Sequence, residues 1–194
     1  MKQEEVIRYV REGNINVLLE QLFSGVPHAF DSAEEYKKFQ SQLGTPFNIN
    51  PETVVLVGSG RFGFSLAPHK FGQPFHPRSD LDVVLVDQNL FDSSWLELIR
   101  YDFKSLSFNA DIATSLREHR SNNVFWGYLE PYRLKNALSF YSKVWFPTFM
   151  KLGLLRGTAG RIVKARVYRT WEHARAYHRY SFRSVVAGLP PEAQ

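Results

Sequence analysis

Residues 54–87 decide the fold, and they read VVLVGSGRFGFSLAPHKFGQPFHPRSDLDVVLVD. The apolar, valine-rich ends of this stretch predict two buried strands, Val54–Val57 and Asp80–Val86. A glycine turn follows the first strand, and a loop that contains three prolines leads to the second. Because side chains alternate along a strand, Asp80 and Asp82 share one face, and the residue between them points towards a core.

These two aspartates are the first candidate functional residues. Carboxylates held side by side repel each other, and a protein relieves the repulsion with a bound metal or with a raised pKa. Asp80 and Asp82 are therefore candidate metal ligands. The simpler alternative is a half-buried strand that carries two solvated aspartates after an unrelated turn.

The glycines allow two interpretations. Residues 58–63 match the pattern G-x-G-x-x-G, and Asp87 ends the next strand, as a dinucleotide-binding fingerprint requires. That fingerprint also needs a helix directly after the glycines. The prolines between residues 67 and 78 oppose such a helix, because proline in a helix interior costs about 3 kcal/mol. The dinucleotide interpretation is therefore disfavoured.

The same stretch resembles the nucleotidyltransferase superfamily, whose fold is shared with DNA polymerase beta. The family signature is a hydrophobic strand, a Gly-Ser turn, a spacer, and Ser-Asp-x-Asp at the start of a second strand. Here the turn is Gly58-Ser59 and the second motif is Ser79-Asp80-Leu81-Asp82. The resemblance implies an α/β (α+β) fold: a polymerase-beta-like core with a small mixed sheet and flanking helices.

The resemblance also implies an activity. In the family the two aspartates, here Asp80 and Asp82, hold two Mg²⁺ (or Mn²⁺) ions that bridge a nucleoside triphosphate such as ATP and the attacking hydroxyl. The Gly-Ser turn, here Gly58 and Ser59, holds the β- and γ-phosphates. The implied reaction transfers a nucleoside monophosphate to a hydroxyl of RNA, of a protein or of a small molecule. Such chemistry depends on positioning and charge neutralisation, which paired metals supply.

Arg61 and Ser79 are further candidate nucleotide contacts, because Arg61 closely follows the Gly-Ser turn and Ser79 begins the second motif. The spacer between the motifs is longer than in the smallest family members. Its segment 67–78 is predicted to be a mobile cover over the nucleotide. Phe71 and Phe75 could instead pin this segment to the core.

A third carboxylate generally completes the site in active members of this superfamily. Asp111 fits that role if residues 106–114 form a strand, whereas in a helix it is only a surface acid. If the neighbouring strand is instead 161–169, its exposed positions carry Lys164 and Arg166. A basic residue beside the pair would favour loss of catalysis. The alternative function is therefore a non-catalytic nucleotide- or nucleic-acid-binding protein with a degenerate nucleotidyltransferase fold.

Composition predicts one domain, residues 1–194, with N-terminal helices and a basic C-terminal helix. The sequence has no cysteine, no apolar run of about 18 residues and no signal-peptide pattern, so we expect a cytoplasmic protein without a membrane segment. The formal net charge of +5 predicts an anionic partner. Small bacterial relatives of this kind often belong to toxin–antitoxin or phage-defence systems.

The helical pattern covers most of the remaining chain. Helices are expected over residues 2–23 with a break at Gly13, 31–43, 91–103, 137–154 with an interruption at Pro147, and 171–187, whereas residues 121–135 are expected to form a loop. In the last helix, Arg175, Arg179 and Arg183 share a face and have few acidic neighbours in the sequence. They are the candidate nucleic-acid contacts.

Overall fold

The computed structural model describes residues 1–100, 110–154 and 158–187. Its helices are α1 (Gln3–Arg11), α2 (Ile15–Phe23), α3 (Ala33–Gly44), α4 (Gly58–Phe62), α5 (Gln88–Arg100), α6 (Ala110–Glu118), α7 (Pro131–Leu134), α8 (Phe146–Gly153) and α9 (Trp171–Ala187). Its strands are β1 (Val54–Val57), β2 (Leu81–Val86), β3 (Tyr128–Leu129) and β4 (Val163–Tyr168). Within these ranges no helix has the length and apolar character needed to cross a membrane.

The strands form one small mixed sheet in the order β1-β2-β4-β3. Strand β2 pairs antiparallel with β1 and parallel with β4, and β3 pairs antiparallel with β4. In this register Asp82 lies between Val57 of β1 and Lys164 of β4. The predicted mixed α/β class is thus confirmed, and the two strands of the opening stretch lie side by side.

Helices cover both faces of the sheet. We call the more completely covered face the closed face and the other one the open face. The closed face packs against α3, α5, α6, α7 and α8, and its strand residues are Val54, Leu56, Leu81, Val83, Leu85, Leu129, Val163, Ala165 and Val167. The open face packs against α1, α2 and α9 through Val55, Val57, Val84, Val86, Tyr128 and Tyr168. Beyond this second core, the open face carries Asp82, Lys164 and Arg166.

Several local predictions are confirmed. The first helical stretch breaks at Gly13, whose φ of +76° suits glycine best. The hydroxyl of Ser32 accepts a hydrogen bond from the Glu35 amide, 3.1 Å away, and so caps α3 as expected. The predicted third strand is present as β4.

In the middle of the chain, the structure decides one open alternative and overturns one expectation. Residues 110–118 form helix α6 and not a strand, while the rest of the ambiguous segment, 106–109, lies outside the described residues. The expected loop 121–135 contains β3 and α7. A two-residue strand and a one-turn helix are too short to show a periodic pattern, which is why the sequence did not reveal them.

The other helices follow the sequence closely at their ends. Helix α5 begins three residues before the expected Phe91, and its expected last residues, 101–103, lie outside the described residues. The expected break near Pro147 is a π-helical turn, Tyr141–Trp145, after which Pro147 stands in the first turn of α8. Proline has no N–H to donate to the preceding turn, and the hydrogen-bond pattern changes from α to π directly before it.

Candidate functional site

The Gly-Ser turn is built directly against Asp82. Gly58 begins α4 with a φ of +65°, and a Cβ added to it would lie 3.1 Å from Oδ2 of Asp82. Any other side chain here would meet both a strained backbone and the carboxylate. The close approach therefore depends on glycine, and it brings Ser59, which is half-buried, to the same end of the sheet as Asp82.

Helix α4 is short and firmly held. Its Gly60 is buried, and a Cβ there would lie 3.1 Å from Cδ2 of Leu56. The helix ends at Gly63, whose amide donates to the Ser59 carbonyl at 2.8 Å and whose φ is +86°. The turn is thus fixed at both ends by backbone geometry.

A lysine from the neighbouring strand contacts the carboxylate pair. Lys164 Nζ donates a hydrogen bond to Oδ2 of Asp80 and forms an ion pair with it. The Lys164 side chain is 60% exposed and that of Asp80 is 31% exposed. An ion pair this accessible contributes about 0–1 kcal/mol, so an incoming cation or anion can displace it. The hydrogen bond from Lys164 to Asp80 also raises the pKa of the lysine.

The environment of Asp82 disfavours its charged form. Although its side chain reaches solvent, the surrounding walls limit its hydration, and this desolvation raises the pKa of the carboxyl. The positive charges of Arg166 and Lys164 oppose that rise, whereas Asp80 and Glu130 add to it. The site can therefore accommodate additional positive charge next to Asp82.

Arg166 and Glu130 form a second ion pair on the open face. Arg166 Nε donates to Oε2 of Glu130 at 2.8 Å, and its NH1 donates to the Tyr177 hydroxyl at 3.3 Å. The Glu130 amide in turn donates to Nε2 of His119 at 3.0 Å. Burial, reinforced by the charge of Arg133, lowers the pKa of His119 to about 4, so the ring is a neutral acceptor. His119 lies in a π-helical turn, His119–Asn123, and fixes the backbone of Glu130.

The residues fit a metal only in part. Asp80 and Asp82 offer carboxylate oxygens of the kind that Mg²⁺ prefers, but Lys164 already engages Asp80. In the described residues, no group of three or more histidine, aspartate or glutamate side chains is placed to hold a metal ion. A divalent ion here would need oxygen ligands from a phosphate or from water.

A cleft of about 1220 Å³ opens beside Asp82. Its polar wall contains Asp82, Glu130, Lys164 and Arg166. Its apolar wall comes from α7, α8 and the start of β4 and includes Tyr132, Phe146, Met150 and Ile162. Val84, Tyr168 and His178 also belong to its lining. The cleft is large enough for a ligand the size of a nucleotide.

Two of the predicted site residues make other contacts in the structure, and a third lies on an exposed helix. The Arg61 guanidinium is buried and donates to the carbonyls of Gln21 and Gly25, at 2.8 Å from Nε and 2.9 Å from NH1. The Ser79 hydroxyl accepts from the His76 amide at 3.1 Å and closes a turn. Asp111 is an exposed residue in the first turn of α6. The predicted residues that the structure brings together are Gly58, Ser59, Asp80 and Asp82.

The contacts of the spacer segment 67–78 favour the alternative in which its phenylalanines hold it to the core over that of a mobile cover. The Phe75 amide donates to the Gly63 carbonyl at 2.8 Å, and the Arg161 guanidinium lies 4.8 Å from the Phe75 ring centre. Phe71 packs edge-on against Phe64. These contacts anchor both aromatic residues, while closure over a nucleotide remains a prediction.

Two of the three C-terminal arginines have partners that the sequence did not indicate. Arg175 NH1 pairs with Oε1 of Glu20 at 2.8 Å, and Arg179 NH2 donates to Oδ1 of Asn16 at 3.0 Å. Arg183 is exposed and, with Arg179, lines a smaller pocket against α1 and α2. The expectation of few acidic partners missed Glu20, because it lies 155 residues away in the chain.

Other site residues gave no recognisable sequence signal. Glu130 follows a strand too short to predict, and Tyr168 and His178 resemble ordinary core aromatics in the sequence. Comparisons with family models, with curated proteins and with solved structures found no match to this chain. The site is therefore interpreted from its own geometry.

Proposed function

We propose that this chain binds a nucleoside triphosphate at the Gly58-Ser59 turn, in a polymerase-beta-like nucleotidyltransferase fold that has lost its catalytic acid set. The observation that carries the proposal is the close approach of Gly58 to Asp82, which brings the Gly-Ser turn beside the second carboxylate of the pair. The position of Lys164 supports the loss of catalysis, because a basic residue stands on the strand where a third acid would be expected.

The charges of the site predict that nucleotide and metal bind together. A triphosphate near Ser59 would be repelled by Asp82 unless a cation lay between them. Mg²⁺ or Mn²⁺ on Asp80 and Asp82 would supply that charge, and the phosphates would complete its oxygen ligands. Lys164, released from Asp80, could then pair with a phosphate.

Calorimetry with ATP, GTP, CTP and UTP, with Mg²⁺, with Mn²⁺ and with a chelator, tests this proposal. We expect binding of at least one nucleotide that is much tighter with metal. Changing Asp80 and Asp82 together to asparagine keeps the shape of the site and should abolish the metal-dependent part. If no nucleotide binds in the presence of metal, or if the double variant binds equally well, the proposal is wrong.

Metal-dependent nucleotidyl transfer is the second candidate function. It is favoured by the placement of Asp80 and Asp82 beside a Gly-Ser turn, which is the arrangement that the family resemblance implies. Radiolabelled nucleoside triphosphates, incubated with RNA and with protein acceptors, distinguish the two. We expect no transfer by the wild type. Transfer that disappears in Asp82→Asn would replace the binding proposal with the catalytic one.

A further inference from the structure

Three aromatic side chains form a continuous exposed cluster beside β3. Phe125 is 77% exposed and Tyr180 is 58% exposed, and the partly exposed Trp126 contacts both. The Trp126 ring centre lies 5.7 Å from that of Phe125 and 5.2 Å from that of Tyr180. Single exposed apolar side chains are normal on a protein surface, whereas adjoining exposed rings indicate a binding surface. We call these three residues the aromatic platform.

The backbone beneath the platform is firmly held. Its first two rings belong to a short helical turn, Val124–Trp126, which the Gly127 amide closes by donating to the Val124 carbonyl at 2.9 Å. Gly127 has a φ of +69°, and a Cβ added to it would overlap the ring of His173 in α9. The turn therefore packs directly on the helix that carries the third ring. Because this backbone is already fixed, a ligand that stacks on the rings loses little binding energy to ordering them.

The charges beside the platform are positive. Tyr180 and Arg183 are both exposed and lie one turn apart on α9, so their side chains are neighbours on its surface. Arg183 has no carboxylate partner among the described residues, and Glu20 of α2 pairs with a different arginine of α9. The segments that build this surface, 119–129 and 173–187, contain four arginines and no aspartate or glutamate. The ligand that suits this surface is therefore an anion that also carries flat rings.

A single-stranded nucleic acid matches this combination, because each of its nucleotides supplies a base to stack on a ring and a phosphate to pair with a cation. A duplex keeps its base faces inside its own stack and offers mainly phosphates. A membrane surface favours side chains that insert among the acyl chains, and of the three rings only Phe125 projects far from the protein. The rings and the arginine together thus favour the single strand.

We infer that the aromatic platform stacks the bases of a single-stranded nucleic acid while Arg183 contacts its phosphates. The platform lies at the opposite edge of the sheet from the Gly58-Ser59 turn, because the turn follows β1 and the platform precedes β3. The inference therefore does not rest on the proposed nucleotide site, and either can fail alone. RNA and single-stranded DNA offer the same chemistry, and the test separates them.

Fluorescence anisotropy with labelled oligouridylate, with oligothymidylate and with a duplex of equal length tests the inference. We expect both single strands to bind more tightly than the duplex. Phe125→Ala and Tyr180→Ala should each lower the affinity for a single strand about tenfold, the effect of losing one stacked base. Tighter binding of oligouridylate or of oligothymidylate identifies RNA or DNA as the preferred ligand, and either result supports the inference.

Two matched variants show whether the rings themselves are responsible. Phe125→Tyr keeps an aromatic ring and should retain the affinity. Tyr132→Ala removes a ring that is 65% exposed on the cleft wall, where Lys135 lies 4.0 Å from its centre, and should have no effect. The loss caused by Phe125→Ala should be the same factor at every salt concentration, because stacking releases no counterion.

Three outcomes would overturn the inference and leave the nucleotide proposal intact. The first is an unchanged single-strand affinity in both Phe125→Ala and Tyr180→Ala. The second is an equal affinity for the duplex and the single strands. The third is binding to phosphatidylserine vesicles but not to oligonucleotides, which would identify a membrane-binding surface instead.

Tryptophan fluorescence provides a readout of the platform itself. A base stacked on an indole ring quenches its emission, so oligouridylate should quench part of the fluorescence of the wild type. Trp126→Phe keeps a ring and should still bind, but that quenching should disappear. Trp95, which is 40% exposed on α5, remains as an internal control. Binding without any quenching at Trp126 would place the nucleic acid elsewhere and overturn the inference.

Discussion

The two faces of the sheet differ in whether their buried polar groups have hydrogen-bond partners. On the closed face, the Tyr36 hydroxyl accepts from the Leu56 amide at 3.0 Å, and the Tyr141 hydroxyl lies 2.9 Å from that of Ser94. On the open face, the Tyr168 hydroxyl and His178 Nε2 have no partner among the described residues. The closed face is therefore organised for stability, whereas the open face keeps polar groups at an energetic cost, as binding sites do.

The strongest test of this contrast removes the centre of the closed face. Trp145 is 1% exposed and stacks on Phe149 with ring centres 4.6 Å apart. Trp145→Ala should lower the free energy of unfolding by about 3–5 kcal/mol, because it leaves a large cavity. Chemical denaturation measures this loss. Tyr132→Ala, at an exposed aromatic ring of the cleft wall, is the control and should cost far less.

The pH dependence of stability should reveal another contrast, between a buried histidine with a hydrogen-bond partner and one without. The folded-state pKa values of His119 and His178 are about 4 and about 3, below the ordinary 6.5. Their contribution to stability is therefore complete above pH 6.5 and is lost as the pH falls towards 4 and below. For His119 the loss is on the order of 3 kcal/mol. Urea unfolding between pH 7 and pH 4 measures it.

A matched variant separates His119 from the other ionisable groups. His119→Gln retains an oxygen that can accept the Glu130 amide but cannot gain a proton. This variant should show a shallower loss of stability between pH 6.5 and pH 4 than the wild type. Identical slopes would mean that His119 is not held neutral by its surroundings.

Two tyrosine variants compare the faces directly. Tyr141→Phe leaves the Ser94 hydroxyl without its partner and should destabilise the protein by about 1–3 kcal/mol. Tyr168→Phe removes an unpartnered hydroxyl and should be neutral or slightly stabilising in the absence of ligand. Thermal unfolding of the two variants measures the difference. Equal destabilisation would show that water already satisfies Tyr168 as well as Ser94 satisfies Tyr141.

The smallest expected effect concerns RNA and the arginines of α9. Arg183 is exposed, while Arg175 is paired with Glu20. If this face binds single-stranded RNA, Arg183→Ala should reduce the slope of log affinity against log salt concentration by about one. Arg175→Ala should change it less. Fluorescence anisotropy at several salt concentrations measures both slopes, and unchanged slopes would exclude this face as the RNA contact.

Local chemistry explains which parts of the fold the sequence could predict. The strands at Val54–Val57 and Leu81–Val86, and the shared orientation of Asp80 and Asp82, follow from apolar runs and from alternation within a few residues. The glycine turn between them is equally local. These features were predictable because neighbouring residues alone specify them.

The rest of the site depends on contacts between distant residues. Lys164 meets Asp80 because β4 pairs in parallel with β2, and no local pattern specifies which strand becomes the neighbour. Arg61 looked like a phosphate contact because it follows the turn, yet it donates to the carbonyls of Gln21, in the last turn of α2, and of Gly25, just beyond that helix. Asp111 depended on a strand, but helix formation was equally compatible with its sequence.

The parallel pairing of β2 with β4 also sets the order in which the protein can mature. Asp80 and Lys164 are 84 residues apart, so both the turn and the carboxylate pair leave the ribosome long before their partner strand. At synthesis rates of about 5–20 residues per second, the nascent chain spends about 4–17 seconds with its central strand unpaired on that side. Long-range parallel pairing is also slow to form. The proposed nucleotide site should therefore be complete only after β4 has been synthesised, and the half-built sheet is the stage most exposed to aggregation.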